Sequence, residues 1–470
     1  HSGADRADGW AVAEDCGGCV VNTKIVYPAY RDSGVPWAIK IPEHWRTAHL
    51  RYVACVSNGS TPSRDRIDYW SNGTVPWLAS GQVNDYVVRK ARESITPTAV
   101  LDAGLRLFAP GSVILGMVGQ GKTRGMSAYL DIEATINQNL AGITPRSELN
   151  GRYLHYMLSA SYEFNRNYGR GGNQAALNCA IVGGFKVLLP SLGEQEKIVA
   201  YLRAQDARIA RFIKAKRELI GLLTEQKLRI VDHAVTRGLD ASVRLKPSGI
   251  EWLGEVPEHW SISRLKYCVS RTYVGGTPDT GVDGYWSDNN AGVPWLLIAD
   301  VTKSDFVASS TKRITQAGLK SRLLEVVPRG AVLYTMYASI GKAAILDMDA
   351  AINQAIIGLV PRQDVLISGF LLFWLRFLEH HVMNVANTST QANLNASKVK
   401  AFPICLPPLC DQEKICDRIR KESRVFDKAI AFAEEEIKLI REYRDRLIFD
   451  VVTGQIDVRG WQPGPDDVVS

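Results

Sequence analysis

Long apolar runs are the first thing this 470-residue sequence lacks. The longest, Phe370 to Leu375, falls far short of the roughly 20 residues that a membrane span needs. Cysteine is sparse, with eight in the chain, which excludes a disulfide scaffold and makes a reducing, cytoplasmic setting the expectation. Asp5, Arg6, Asp8 and Glu14 interrupt any apolar core of a secretory signal. Charge of one sign is also in short supply. A net +7 permits a nucleic-acid partner without demanding one. Catalytic signatures are missing as well. There is no Gly-x-Gly-x-x-Gly fingerprint, no His-Glu-x-x-His zinc helix and no Gly-x-Ser-x-Gly elbow. Nor is there an Asn-Pro-Pro-Tyr or Asp-Pro-Pro-Tyr run of the kind that amino-methyltransferases carry. No chemistry of the chain's own is visible, so it is expected not to be an enzyme.

What the chain has in excess is tryptophan, eleven in all, and their positions are informative. Eight fall into pairs: Trp37/Trp252, Trp45/Trp260, Trp70/Trp286 and Trp77/Trp295. Other segments recur with them. Pro42-Glu43-His44-Trp45 returns as Pro257-Glu258-His259-Trp260, and Thr61-Pro62 as Thr277-Pro278. Val75-Pro76-Trp77 returns as Val293-Pro294-Trp295, and Ile136-Asn137-Gln138 as Ile352-Asn353-Gln354. Leu177-Asn178 returns as Leu394-Asn395, and Gln195-Glu196-Lys197-Ile198 as Gln412-Glu413-Lys414-Ile415. The order never changes and the offset stays between 215 and 218. Chance does not do this; the chain is a tandem duplication of a unit of about 217 residues, long enough to bury its own core.

The first part of each copy reads as mixed α/β (α+β). Short β-rich runs such as Ser112 to Leu115 and Ala331 to Tyr334 alternate with turn residues, and shorter helical stretches follow at Tyr153 to Tyr162 and Phe370 to Leu378. Each copy ends in a long helix. Ser191 and Glu194 fit a capping box. Leu202, Ile209, Ile213, Ile220, Leu223 and Ile230 then form a heptad stripe, interrupted by Asp206, Lys216 and Lys227. The second stripe is Phe426, Ile430, Ala433, Ile437, Ile440, Leu447 and Val451, interrupted by Arg444. About 40 residues at 1.5 Å each make a rod of roughly 60 Å, and two stripes in register favour rods that pack on each other. Residues 194–238 hold 10 basic and 6 acidic side chains and residues 411–453 hold 10 and 11, the pattern of solvated coiled-coil faces. The expected division is a leader at 1–26, a first domain at 27–190 with its helix at 191–238, a second domain at 239–408 with its helix at 409–454, and a tail at 455–470.

Three motifs resemble chemistry. Gly116 to Thr123 matches the P-loop pattern, but the matching stretch in copy two, Met336 to Ala343, keeps only Gly341-Lys342. A tight loop presenting a cation is the better reading. Cys16 and Cys19 stand alone, and Cys405, Cys410 and Cys416 have no matching histidine, so no metal is expected. His44 and His259 sit in repeated Pro-Glu-His-Trp turns, which argues for a structural role. The polar loops Tyr168 to Gln174 and Asn387 to Gln391 are of a different kind. Their Arg170, Asn173, Gln174, Thr390 and Gln391 can contact base edges or phosphates. Arg64, Arg66, Lys90 and Arg92 add basic turns in copy one, and Lys303, Lys312 and Arg313 in copy two.

These residues together resemble the specificity subunit of type I restriction–modification systems. Tyr27 to Trp37 followed by Ile41 to Trp45 looks like that family's opening segment, and Pro247 to Gly254 like its second-copy form. Ile136-Asn137-Gln138, Gln174 to Asn178, and Leu189-Pro190 running into Glu194 to Ile198 resemble its signatures, each with its partner in copy two. The resemblance spans residues 27 to about 458. It implies two target-recognition domains that each read one half of a split, asymmetric double-stranded DNA site. It also implies two long helices paired as an antiparallel coiled coil, in a pseudo-two-fold arrangement that fixes the gap. Two methyltransferase subunits and further restriction–translocase subunits would be partners, holding S-adenosylmethionine, ATP and Mg²⁺, with none of these in this chain. The copies diverge most at 77–111 and 295–330, where base reading is expected. Gln120, Lys122 and Arg124, with Ser339 and Lys342 opposite, are further candidates. Two alternatives stay open: a P-loop nucleotide-binding enzyme, and a coiled-coil recruitment scaffold that does not read DNA sequence.

Overall fold

Short buried strands build a five-stranded sheet in each half of the chain. In the first half the order is Ala54–Asn58, Leu140–Pro145, Val113–Gly116, Ser127–Leu130 and Val87–Val88. The second half repeats it with Val269–Val274, Ile356–Pro361, Val332–Thr335, Ala343–Leu346 and Phe306–Val307. In both sheets the first three junctions are antiparallel and the last is parallel. Val113–Gly116 and Val332–Thr335 are buried along their whole length, as central strands covered on both faces must be. This computed structural model describes residues 26–119, 121–168, 176–287, 291–337, 339–387 and 394–464, with only the backbone at 380–387.

A smaller sheet sits beside each large one. It joins Thr135–Ile136, Val75–Leu78 and Glu93–Ile95 in the first half. In the second it joins Trp286–Ser287, Lys312–Ile314, Val293–Leu296 and Ala351–Ile352. The helix Gly151–Ala160 starts at Asn150, whose side chain accepts from the amides of Arg152 and Tyr153, and it buries Tyr153, Leu154 and Met157 on the sheet. Its counterpart Ser368–Asn387 buries Phe370, Leu371 and Trp374.

The long helices run from Leu192 to Arg237 and from Leu409 to Val452. Gly238 and Gly454 follow them with positive φ (76° and 72°), the left-handed turn that ends helices and that glycine adopts without strain. The expected capping box forms by half. The Glu194 amide donates to Ser191 Oγ at 3.3 Å, but the Glu194 carboxylate is turned into the domain core. Gly221, inside the first helix, has open space where a Cβ would sit, so only helix propensity is lost there.

The chain divides into two compact units, and each long helix is shared between them. Unit one holds residues up to Ala215 together with those from Glu436 onward; unit two is Lys216–Glu435. Unit one thus pairs the N-terminal half of the first helix with the C-terminal half of the second, and unit two the reverse. The segment after the second helix is part of unit one's core. Val458 is buried, Trp461 packs edge-on against Tyr201 at 5.5 Å, and Tyr30 Oη donates to the Gly454 carbonyl at 2.8 Å. Among the described residues, no helix is long and apolar enough to cross a membrane.

Candidate nucleic-acid interface

Each unit carries the same aromatic platform. In unit one the chain leaves strand Ala54–Asn58 and passes over the Ile136–Gln138 turn. A Cβ at Gly59 would lie 1.7 Å from the Ile136 carbonyl oxygen, so only glycine allows the approach. Ser60 N then donates to Ile136 O at 3.0 Å, and Thr61 Oγ1 donates to Gln138 Oε1 at 2.5 Å. Trp77 Nε1 donates to Ser60 O at 3.1 Å, and the Trp77 ring meets Trp70 edge-on at 5.1 Å. Unit two rebuilds this from Gly275, Thr277 bonded to Gln354, and Trp295 donating to Gly276 O at 3.0 Å, with Trp286 at 5.1 Å. Each platform carries a cation: Arg64 lies 3.6 Å over Trp70, and Lys312 5.5 Å from Trp286.

Beside the shared platform, the two units differ. In unit one a 3-10 turn, Ser80–Asp85, is knitted to the following loop. Buried Gln82 donates to Lys90 O at 3.0 Å and accepts from Arg92 N at 3.3 Å, and Arg92 Nη2 meets Asp85 Oδ1 at 2.7 Å. In unit two a helical turn, Ile298–Val301, takes that place, with buried Asp300 accepting from Leu297 N at 3.0 Å. The loops therefore offer different side chains from matching positions.

The proposed contact residues scatter in their fates. Arg64, Arg66, Lys90, Arg92, Lys122, Lys303, Lys312, Ser339 and Lys342 are exposed, and Arg313 is half-buried. Several are already paired: Arg64 with Glu93 at 2.7 Å, Arg66 with Asp68 at 2.6 Å, and Lys342 with Glu379 at 2.6 Å. Exposed pairs of this kind contribute little and exchange readily for a phosphate. Arg124 is only 7 % exposed, and a side chain so covered cannot reach a base edge where it stands. Gln120, Arg170, Asn173, Gln174, Thr390 and Gln391 lie outside the described residues, as does the Cys16/Cys19 pair. Of the helical stripes, Leu202, Ile209, Ile437 and Leu447 are buried, while Ile213, Ile220, Leu223, Ile230, Phe426, Ile430 and Ile440 are half-buried.

The P-loop reading fails on backbone geometry. A phosphate-binding loop ends in a helix whose amides face the phosphates. Here the stretch lies between the antiparallel strands Val113–Gly116 and Ser127–Leu130, and among the described residues no helix separates them. Other chemistry fails too. Ser127 Oγ lies 3.0 Å from His155 Nδ1, but both are buried, and burial pushes the imidazole down to about 3, too low for a general base at neutral pH. Cys405 and Cys416 are buried thiols pushed up to about 12, hence protonated and unreactive. Among the described residues, no cluster of His, Cys, Asp and Glu is placed to hold a metal. His44 and His259 do not face their neighbouring glutamates. They meet Glu194 at 3.1 Å and Asp411 at 3.4 Å, carboxylates at the starts of the long helices.

One cluster escaped sequence reasoning. In unit one, Tyr156 Oη donates to Asp206 Oδ2 at 2.8 Å, and Arg444 Nε donates to Asp206 Oδ1 at 2.6 Å. Arg444 also lies 4.5 Å over the Tyr86 ring, which packs on His155 at 4.2 Å. Asp206 and Arg444 were visible only as interruptions of two apolar stripes. Their complementary charges were the available signal.

A family model described as the type I restriction modification DNA specificity domain matches residues 42–220 and 286–441. A relative from Methanocaldococcus jannaschii, the type I restriction enzyme MjaIX specificity subunit, is 22 % identical over 431 residues, covering 89 % of this chain and 95 % of the relative. The Escherichia coli EcoR124I/EcoR124II specificity subunit is 26 % identical over 161 residues, 34 % of this chain and 39 % of its own. A solved structure, from work on complex assembly and conformational transition of the type I R-M system, has a TM-score of 0.63 at 17 % identity. It covers 88 % of this chain and 98 % of that one.

Proposed function

The chain belongs to the type I restriction modification DNA specificity family, and from that premise we propose that its two units read the two halves of a split, asymmetric DNA site. It is the DNA-recognition subunit of such a system and not an enzyme. One observation carries the reading: a single topology is built twice with one shared platform, while the loops beside the platforms differ. What both copies share cannot tell two half-sites apart, so the shared parts hold backbone and the divergent loops read bases. Lys90 and Arg92 in unit one, and Lys303 in unit two, are the leading readers. Arg64, Lys122, Lys312, Arg313, Ser339 and Lys342 stand beside them.

The target-recognition domains are residues 27–190 and 239–408, and the long helices act as spacers. We take the helices to form an antiparallel coiled coil with a pseudo-two-fold relation between copies. The cross-helix pairs Asp206–Arg444 in unit one and Lys227–Asp427 in unit two, both at 2.6 Å, support this. Half-sites about one turn of B-DNA apart, roughly 34 Å, suit such a ruler. Two methyltransferase subunits would dock on the helices and supply S-adenosylmethionine. Restriction subunits would bring ATP and Mg²⁺. The assembly would work in the cytoplasm, on the nucleoid. Inserting one heptad into each long helix tests the ruler. It adds about 10 Å, so the gap should lengthen by about three base pairs with both half-sites unchanged. Altered half-sites with the old gap would show that the helices do not set the distance. Salt-sensitive, sequence-indifferent DNA binding by the assembled complex would favour a recruiting scaffold instead.

A further inference from the structure

The Tyr86–Asp206–Arg444 cluster joins the segment that differs between copies to both long helices. Tyr86 closes the turn Ser80–Asp85 and has φ of 60°, a strained value for a residue with a Cβ. Such strain persists only when the surroundings hold it. Three groups do so here: the Arg444 guanidinium over one side of the ring, the His155 ring against it, and a backbone bond from Tyr129 N to Tyr86 O at 2.9 Å. Arg444 comes from the second helix and is fixed by Asp206 of the first, which also accepts from Tyr156. The turn held in this way is the one knitted to Lys90 and Arg92.

Unit two does not repeat the arrangement. Asp305 takes the place of Tyr86, just before the equivalent strand, and Arg376 of its own domain bonds it at 2.7 Å. Lys227, 217 residues before Arg444, is held by Asp427 at 2.6 Å, and Ser423 stands where Asp206 would be.

Resting on the reading of this chain as a two-site DNA reader, we propose that Tyr86, Asp206 and Arg444 are positioning residues. They clamp the first half-site reader to the helical ruler and hold the spacer length strict from that side. None needs to touch DNA.

The test uses the full chain assembled with its methyltransferase. Wild type is first shown to modify a split site of one spacer length; failure here counts against the two-site reading and not against the clamp. The double variant Arg444→Met/Asp206→Leu removes both charges together, so neither is left stranded, and unchanged melting shows that it folds. Duplexes with the native spacer, and with one base pair more or fewer, are then compared. Discrimination against the wrong spacers should fall by about tenfold, the equivalent of one charge-assisted hydrogen bond. Base preference within each half-site should stay as it was. Arg444→Lys, which keeps the charge, should restore part of the discrimination. The matching change in unit two, Lys227→Met/Asp427→Leu, should leave it intact. Unchanged spacer discrimination in a folded Arg444→Met/Asp206→Leu variant overturns the proposal. So does an equal loss from the unit two change, which would reduce the effect to general loosening of the helices.

Discussion

Exchanging one methylene between the two copies should move stability in opposite directions. In unit one, Glu194 Oε1 accepts from Tyr27 Oη at 2.6 Å and Trp45 Nε1 at 3.0 Å, and Oε2 lies 3.1 Å from His44 Nε2. In unit two the equivalent acid is Asp411, one carbon shorter. It reaches His259 at 3.4 Å, while among the described residues the buried indole Nε1 of Trp260 has no hydrogen-bond partner. A cavity of about 420 Å³, lined by Trp260, His259, Asp411 and Lys414, adjoins the gap and leaves room for a longer side chain. Asp411→Glu should let the carboxylate reach the indole. Making that bond and relieving a stranded donor is worth about 1–3 kcal/mol, less about 0.5 kcal/mol for the extra rotor. For a unit of this size that raises Tm by about 1–10 °C. Glu194→Asp should cost about 2–4 kcal/mol, because it strands two buried donors. Scanning calorimetry of the full chain reads both changes, and a crystal structure of Asp411→Glu should show the carboxylate at hydrogen-bond distance from Trp260 Nε1. A neutral or destabilising Asp411→Glu, together with a harmless Glu194→Asp, would refute the argument that these carboxylates exist to satisfy the indoles.

Two further outcomes are expected. His155 is buried with its pKa held near 3, below the ordinary 6.5, so the unfolded chain takes up a proton that the folded chain refuses. Its contribution is intact above pH 6.5 and is lost at about 1.4 kcal/mol per pH unit as pH falls towards 3. His155→Leu, the residue copy two carries 217 positions on as Leu372, should remove that part of the acid sensitivity in pH-dependent urea melts. An identical acid slope in the variant would contradict it. The isolated chain should show no ATP binding by calorimetry, with or without Lys122→Ala; tight binding lost in that variant would restore the P-loop reading.

The duplication was legible because it rests on identities in one order at an offset that stays between 215 and 218. The Trp70/Trp286 and Trp77/Trp295 pairs, the Thr-Pro loops and the Ile-Asn-Gln turns prove to be matched parts of matched sites, whereas Trp37 packs on Phe449 and Trp252 on Phe377. Their purpose was less legible. Gln195 recurs as Gln412 because each makes three bonds across the start of its helix. Gln195 donates to Glu148 O and Pro190 O and accepts from Asn150 N; Gln412 does the same with Val365, Pro407 and Ile367. Those partners lie up to 47 residues away, beyond any local pattern. The His44–Glu194 contact spans 150 residues and was hidden for the same reason. The P-loop letters, set aside because copy two keeps only Gly341-Lys342, are a spelling that does not specify the helix a phosphate loop needs. The closure of unit one was not legible: Tyr30 meets Gly454 and Gln455 meets Lys40, contacts between segments 424 and 415 residues apart.

In the proposed function one plan, used twice, reads two different half-sites at a fixed distance. Co-expression of the full chain with its methyltransferase, followed by modification-sensitive sequencing of the host genome, tests it most directly. One methylated motif made of two unlike half-sites, separated by a gap of constant length, is the expected outcome. An assembled complex with active methyltransferase that leaves no such motif, or that leaves a single continuous or palindromic one, would contradict it.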